Sequence, residues 1–256
     1  MSLRTWIVII GAFSIFGLGG CATQQQKRIT WGGISVSETG PYVRAEAGSS
    51  MPRDANVRDD NPNSAECVMQ PAGAGPCSGA LNDLGRGRTL GIGVGYRFTE
   101  AFRGDLSYNR RSGYNLKGSD AGGTFFDPDV TSDTVMVNGY YDLPLVMNSV
   151  RPFIGGGIGR SRNEMDAIHW NDPGCCMGTL TGGKSNDTAW QLTLGADIVL
   201  AKSWMLEIFY RYADLGEIRK DRGPDQAGTF GTGVTGSMTG KLRADEFGIA
   251  IRLNLR

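Results

Sequence analysis

The chain has 256 residues, 26 Lys and Arg against 26 Asp and Glu, and a mean hydropathy of −0.24. Zero formal charge without a long basic run offers nucleic acid no electrostatic footing, so no nucleic-acid partner is expected. The hydropathy excludes a bundle of membrane helices but not a barrel, whose strands are apolar on one face only. The 39 glycines, about twice average usage, suit a small barrel, where interior volume is scarce and backbones approach closely.

Residues 1–20 read as an export signal. Arg4 supplies the positive region, and Trp6 to Leu18 is apolar but short for a spanning helix. Leu18-Gly19-Gly20-Cys21 resembles the lipobox of bacterial lipoproteins, which would make Cys21 a lipidation site. Ordinary cleavage after Ala22 is the alternative, and either leaves an exported chain. Residues 21–39, with Gln24-Gln25-Gln26, read as a polar periplasmic tether, and residues 40–256 as the folded domain.

Eight period-two segments follow, at 41–47, 89–98, 102–109, 134–142, 151–159, 189–198, 204–212 and 246–255. In the second, Leu90, Ile92, Val94, Tyr96 and Phe98 oppose Gly91, Gly93, Gly95 and Arg97. In the last, Phe247, Ile249, Ile251, Leu253 and Leu255 oppose Glu246, Gly248, Ala250, Arg252 and Asn254. Small and ionic residues opposite a continuous apolar face suit a narrow packed bore inside a greasy exterior. The connections after the second, fourth and sixth segments are short. Those after the first, third, fifth and seventh (49–88, 111–132, 160–187 and 215–240) are long and polar. That alternation puts every short turn at one end, as in outer-membrane barrels with periplasmic turns and external loops. Phe98, Phe102, Tyr141, Phe153 and Trp204 gather at the short-turn end, and Tyr108, Trp190 and Tyr212 towards the loop end. They predict two interfacial girdles.

Several stretches resemble the OmpA-like, opacity-type outer-membrane β-barrel proteins of Gram-negative bacteria. They are Pro41-Tyr42-Val43-Arg44-Ala45-Glu46-Ala47-Gly48, Asn138-Gly139-Tyr140-Tyr141-Asp142, Arg151-Pro152-Phe153-Ile154-Gly155-Gly156-Gly157 and Tyr210-Arg211-Tyr212. The resemblance implies an eight-stranded antiparallel up-and-down transmembrane barrel, surface exposure and no single shared activity. The terminal strand resembles the signal read by the barrel-assembly machinery through Glu246, Gly248, Ile251 and Leu253. Aliphatics stand there where aromatics are usual, and Arg256 replaces the common terminal Phe.

By strand parity Arg44, Glu46, Arg97, Arg103, Asp105, Asp142, Asp197, Glu207, Arg211, Glu246 and Arg252 point inward. An eight-stranded bore is just wide enough for side chains, so these ions are expected to pair and plug it, a gated ion path being the alternative. His169, the single histidine, falls in the long loop after the fifth segment, beside Trp170 and Asp172, and reads as a solvated loop residue. A lipid A deacylase would need it as a held base. Cys67 and Cys77 lie in the first long loop and Cys175 and Cys176 in the third; exported, they should oxidise, with three pairings open. The glycine runs at 91–95 and 155–157 lack the strand-to-helix setting of a nucleotide site. No catalytic residue, metal or cofactor is expected.

The sequence therefore predicts a non-enzymatic outer-membrane protein. Its barrel anchors four external loops for envelope integrity or surface and host contact, with membrane lipid and loop ligands as partners. A small ion or solute channel, a lipid A-modifying enzyme and a soluble lipocalin-like lipoprotein are the alternatives.

Overall fold

The computed structural model describes residues 28–31, 34–37, 39–53, 55, 58–59, 84–115, 118–119, 125–126, 128–144, 146, 150–172, 176–201, 203–221, 223–224, 234–235 and 237–255. The export signal, Cys21, Cys67, Cys77 and Cys175 lie outside these residues, as does the side chain of Cys176, and with them the lipidation and disulfide expectations.

Eight long strands carry the fold: β1 (Gly40–Pro52), β2 (Gly87–Arg97), β3 (Phe102–Asn115), β4 (Asp129–Asp142), β5 (Val150–Met165), β6 (Gly183–Val199), β7 (Trp204–Lys220) and β8 (Met238–Asn254). Each pairs antiparallel with the next, and β8 pairs with both β7 and β1, so the sheet closes without an edge. Closure satisfies every spanning backbone amide internally, which a lipid environment demands.

The alternation is inverted relative to a water-soluble sheet. On β2, Ile92 is 66 % exposed while Arg97 is buried; on β7, Ile208 is exposed while Glu207 and Arg211 are fully buried. The apolar exterior has no partner except lipid tails, and this excludes the lipocalin-like arrangement. At the short-turn end, Thr99 Oγ1 accepts from the amides of Ala101 and Phe102 and shapes the β2–β3 turn.

The lumen packs aromatic rings over glycines on adjacent strands. The Tyr42 ring lies across Gly95, Tyr140 across Gly155, Phe153 across Gly195 and Phe209 across Gly248. A β-carbon on Gly195 would stand 2.5 Å from Phe153 Cζ, and one on Gly248 2.5 Å from Phe209 Cζ. These four glycines therefore make room for rings.

Four expectations are corrected. Phe153 belongs to the lumen and not to a girdle: it lies on the same face as Arg151 and is 1 % exposed. The strands also run past their sequence-read ends, to Asn115, Met165 and Lys220, because above the membrane the outer face turns polar, so the apolar-out alternation stops while the ladder continues. Two of these extensions carry bulges with left-handed glycines. Gly113 (φ 85°) lies between Arg111 and Tyr114, and Gly216 (φ 78°) between Asp214 and Glu217. Third, the stretch read as a tether contains an antiparallel pairing of Arg28–Trp31 with Ile34–Ser37. Fourth, His169 sits on a short strand, Ile168–Asp172, paired with Cys176–Leu180.

Adding a β-carbon inside the bore should overpack it. Gly195→Ala is expected to lose about 1–3 kcal/mol in urea titrations of the folded band, read by heat-modifiable gel mobility. Gly139→Ala, on the lipid side with nothing within 4 Å of the added carbon, should leave the midpoint unchanged.

Candidate functional site

Inward parity places all eleven sequence-read ions in the lumen, each buried. Glu207 is the hub: it accepts from Arg44 at 2.7 Å, Arg103 at 3.0 Å and Arg252 at 2.6 Å. Towards the short-turn mouth, Asp142 pairs with Arg97 at 2.6 Å and Arg103 at 3.1 Å, and Asp197 with Arg252 at 2.5 Å. The guanidiniums of Arg97 and Arg151 both donate to the Glu100 carbonyl of the β2–β3 turn. Towards the loop side, Glu46 pairs with Arg44 at 2.6 Å and Arg211 at 2.7 Å, and Arg211 reaches Glu246 at 3.1 Å.

A second, amide-rich layer surrounds Asp105. It accepts from Asn138 at 2.7 Å and the Tyr42 hydroxyl at 3.2 Å, while Gln191 donates to Asn138 at 2.7 Å. Arginine stems and forks are sandwiched by rings. Arg103 lies 4.4 Å from the Tyr140 centroid and 4.6 Å from that of Phe153, and Arg211 lies 4.7 Å from that of Phe209. Ring faces and ion pairs together hold the guanidiniums at fixed positions in the bore.

Sequence reading missed Arg111, taken as loop. It is fully buried and its guanidinium contacts Glu246 at 2.6 and 3.2 Å, while Ser50 donates to the same carboxylate at 2.9 Å. Its inward parity continues from Arg103, Asp105 and Asn109, so extending the strand by one repeat would have found it. Above it the external mouth is filled by Tyr114, Val130, Met165, Leu215, Ile218 and Leu242, each 3 % exposed or less. Ions and amides thus fill the bore beneath an apolar layer at the external mouth. Of the assembly-signal residues, Glu246 faces the lumen, Gly248 lies under the Phe209 ring, and Ile251 and Leu253 are half-buried.

The external end is built from water-exposed extensions. Lys184 meets Glu164 across β5 and β6 and holds that carboxyl below the usual range. The loops after β3 and β5 join in a small sheet: Gly118–Ser119 pairs with Phe125–Phe126, which pairs with Ile168–Asp172, which pairs with Cys176–Leu180. Exposed His169 contacts Thr179 Oγ1 at 3.1 Å through Nδ1.

A closed, lipid-faced cylinder is the architecture of one large group, and the sequence pattern described as "Outer membrane protein beta-barrel domain" matches residues 13–237. The chain belongs to that family. It is a Gram-negative outer-membrane protein. It is similar to the outer membrane protein PagN of Salmonella typhimurium, 24% identical over 202 residues, covering 74% of this chain and 80% of that protein. A putative adhesin of Rickettsia conorii, RC1281, is 30% identical over 142 residues, which cover 52% of this chain and 55% of the adhesin. Among solved structures, OprG from Pseudomonas aeruginosa matches with a TM-score of 0.51 at 11% identity, over 85% of this chain and 98% of OprG, a likeness of fold alone.

Removing one partner from the hub should expose the cost of an unpaired buried charge. Glu207→Gln is expected to destabilise the barrel by about 3–5 kcal/mol in urea unfolding followed by tryptophan fluorescence. Glu164→Gln, a half-exposed partner of Lys184, should leave the unfolding midpoint where it is.

Proposed function

We propose that this protein is a non-enzymatic surface protein: the barrel is an anchor, and the external sheet with its flanking loops is the working surface for contact with a host or neighbouring surface. The observation that carries this reading is the filled bore. Glu207, Glu46 and Glu246 are each held by at least two arginines, and an apolar layer lies above them. A solute would have to break several desolvated pairs at once to pass, so the fold invests its polar residues in rigidity. Specificity then falls to the external extensions, where loops on a rigid scaffold commonly carry recognition. The likeness to RC1281 of Rickettsia conorii, a putative adhesin, supports the same reading.

The channel reading predicts a different outcome in one measurement. Reconstituted protein should give no stepwise conductance in planar bilayers, whereas cells displaying it should adhere to epithelial monolayers more than cells with empty vector. Replacing residues 166–182 by a short turn should abolish the gain while heat-modifiable mobility persists. Porin-like conductance steps, or full adherence without that hairpin, would overturn the proposal.

A further inference from the structure

We propose that the outer wall formed by β3, β4 and β5 is a binding site for one phosphorylated, multiply acylated glycolipid of the outer leaflet, that is, lipid A. The inference starts from charge placement. The register aligns Arg110, Asp133 and Arg162 in one row across the three strands, and Tyr108, Val135 and Arg160 in the row beneath. Arg110, Arg160 and Arg162 are all exposed on the outside of the barrel, level with or just above the loop-side aromatic ring of Tyr108. Arg88 on β2 and Lys184 on β6 flank them, so five cations face two carboxylates, Asp133 and Glu164, in a chain of zero formal charge. Among the described residues, Arg162 has no hydrogen bond or ion pair, and Arg160 reaches only Thr188 Oγ1 at 3.5 Å. Two cations of the arc are paired, Arg110 with Asp133 at 3.7 Å and Lys184 with Glu164 at 2.5 Å, as Arg53 is with Asp245 at 2.7 Å on the β8 side. The β3–β5 arc therefore holds two guanidiniums without a carboxylate partner, Arg160 and Arg162, beside the Arg110–Asp133 pair, and their planar forks match phosphate oxygens.

The same three strands provide a place for a tail. Gly104, Gly139 and Gly156 stand side by side in register on the outer face, within an apolar groove also lined by Phe102, Ile154 and Leu192. A β-carbon on Gly139 would meet nothing within 4 Å, so the space there is open to the exterior. From the Arg110–Arg162 row to the glycine row is six residues along the strand, roughly 20 Å. With the tilt of barrel strands this is roughly 15 Å of depth, the thickness of one leaflet. A fatty-acyl chain hanging from a phosphate held by the arginines would cross Val135 and Val137 and end in the groove. Charge above, groove below and the lipid-facing belt between select an amphiphile over a soluble polyanion.

The full chain in detergent micelles, titrated with hexa-acylated lipid A, its dephosphorylated form and phosphatidylglycerol, tests this by native mass spectrometry of retained lipid. Lipid A should bind at least about tenfold more tightly than phosphatidylglycerol. Dephosphorylated lipid A should lose that advantage, as should the combined variant R110Q/R160Q/R162Q. Gly139→Leu, which fills the groove, should weaken both forms of lipid A while keeping the preference for phosphate. Equal retention of phosphatidylglycerol, an unchanged preference in the triple variant, or displacement of lipid A by a soluble sulfated oligosaccharide would each overturn the proposal. The dephosphorylated-lipid arm needs no substitution and so stands whatever the variants do in folding.

Discussion

The carboxylate of Glu207 sits in the bore with no access to water and is held by three guanidiniums. That arrangement dictates much of what surrounds it. A buried carboxylate is tolerable only when its lone pairs are filled and its charge compensated. Each compensating arginine needs a second carboxylate or a ring face in turn, and so Asp197, Asp142, Glu46 and the lumen aromatics follow. Their bulk then requires glycines opposite, and those glycines must fall in register on neighbouring strands. Lipid outside and ions inside are one constraint seen from two sides: with the apolar faces committed to tails, only polar groups remain to fill the centre.

Much of this was legible in the linear sequence because period two is a strong signal where one face meets lipid. Ile92, Leu194 and Ile249 mark the exterior, and their neighbours the lumen. The signal failed where its physical cause stops. Above the bilayer the outer face of a strand meets water, so the apolar-out signal ends and Arg111 looked like loop although it continues the inward series of β3. Phe153 failed for another reason. Its place near the short-turn end suggested a girdle, and only the register reveals Gly195 opposite, where the ring lies. The antiparallel pair of Arg28–Trp31 with Ile34–Ser37 does alternate, Ile29 and Trp31 against Arg28 and Thr30, but four residues a strand are too few to stand out beside the polar run before them.

The working surface is less legible still. The fold is shared by proteins with unrelated roles, so activity must be argued from particular side chains and not from the cylinder. In this chain, the pairing of Phe125–Phe126 with Ile168–Asp172 joins two external connections that are distant in sequence. No local pattern announces such a pairing. Family membership says where the protein resides and how it is built, and its role has to be argued from the external sheet and the arginine arc.

The rings lying across glycines bear on how the cylinder finds its alignment. At the closing seam, Gly248 is opposite Phe209 on one side and Gly48 on the other. A slip of two residues keeps every greasy side chain facing outward, so lipid alone cannot detect it. It would nevertheless push Ala250 or Glu246 beneath the Phe209 ring, where there is space only for hydrogen. Uncharged sterics at the seam thus distinguish registers that lipid exposure alone cannot.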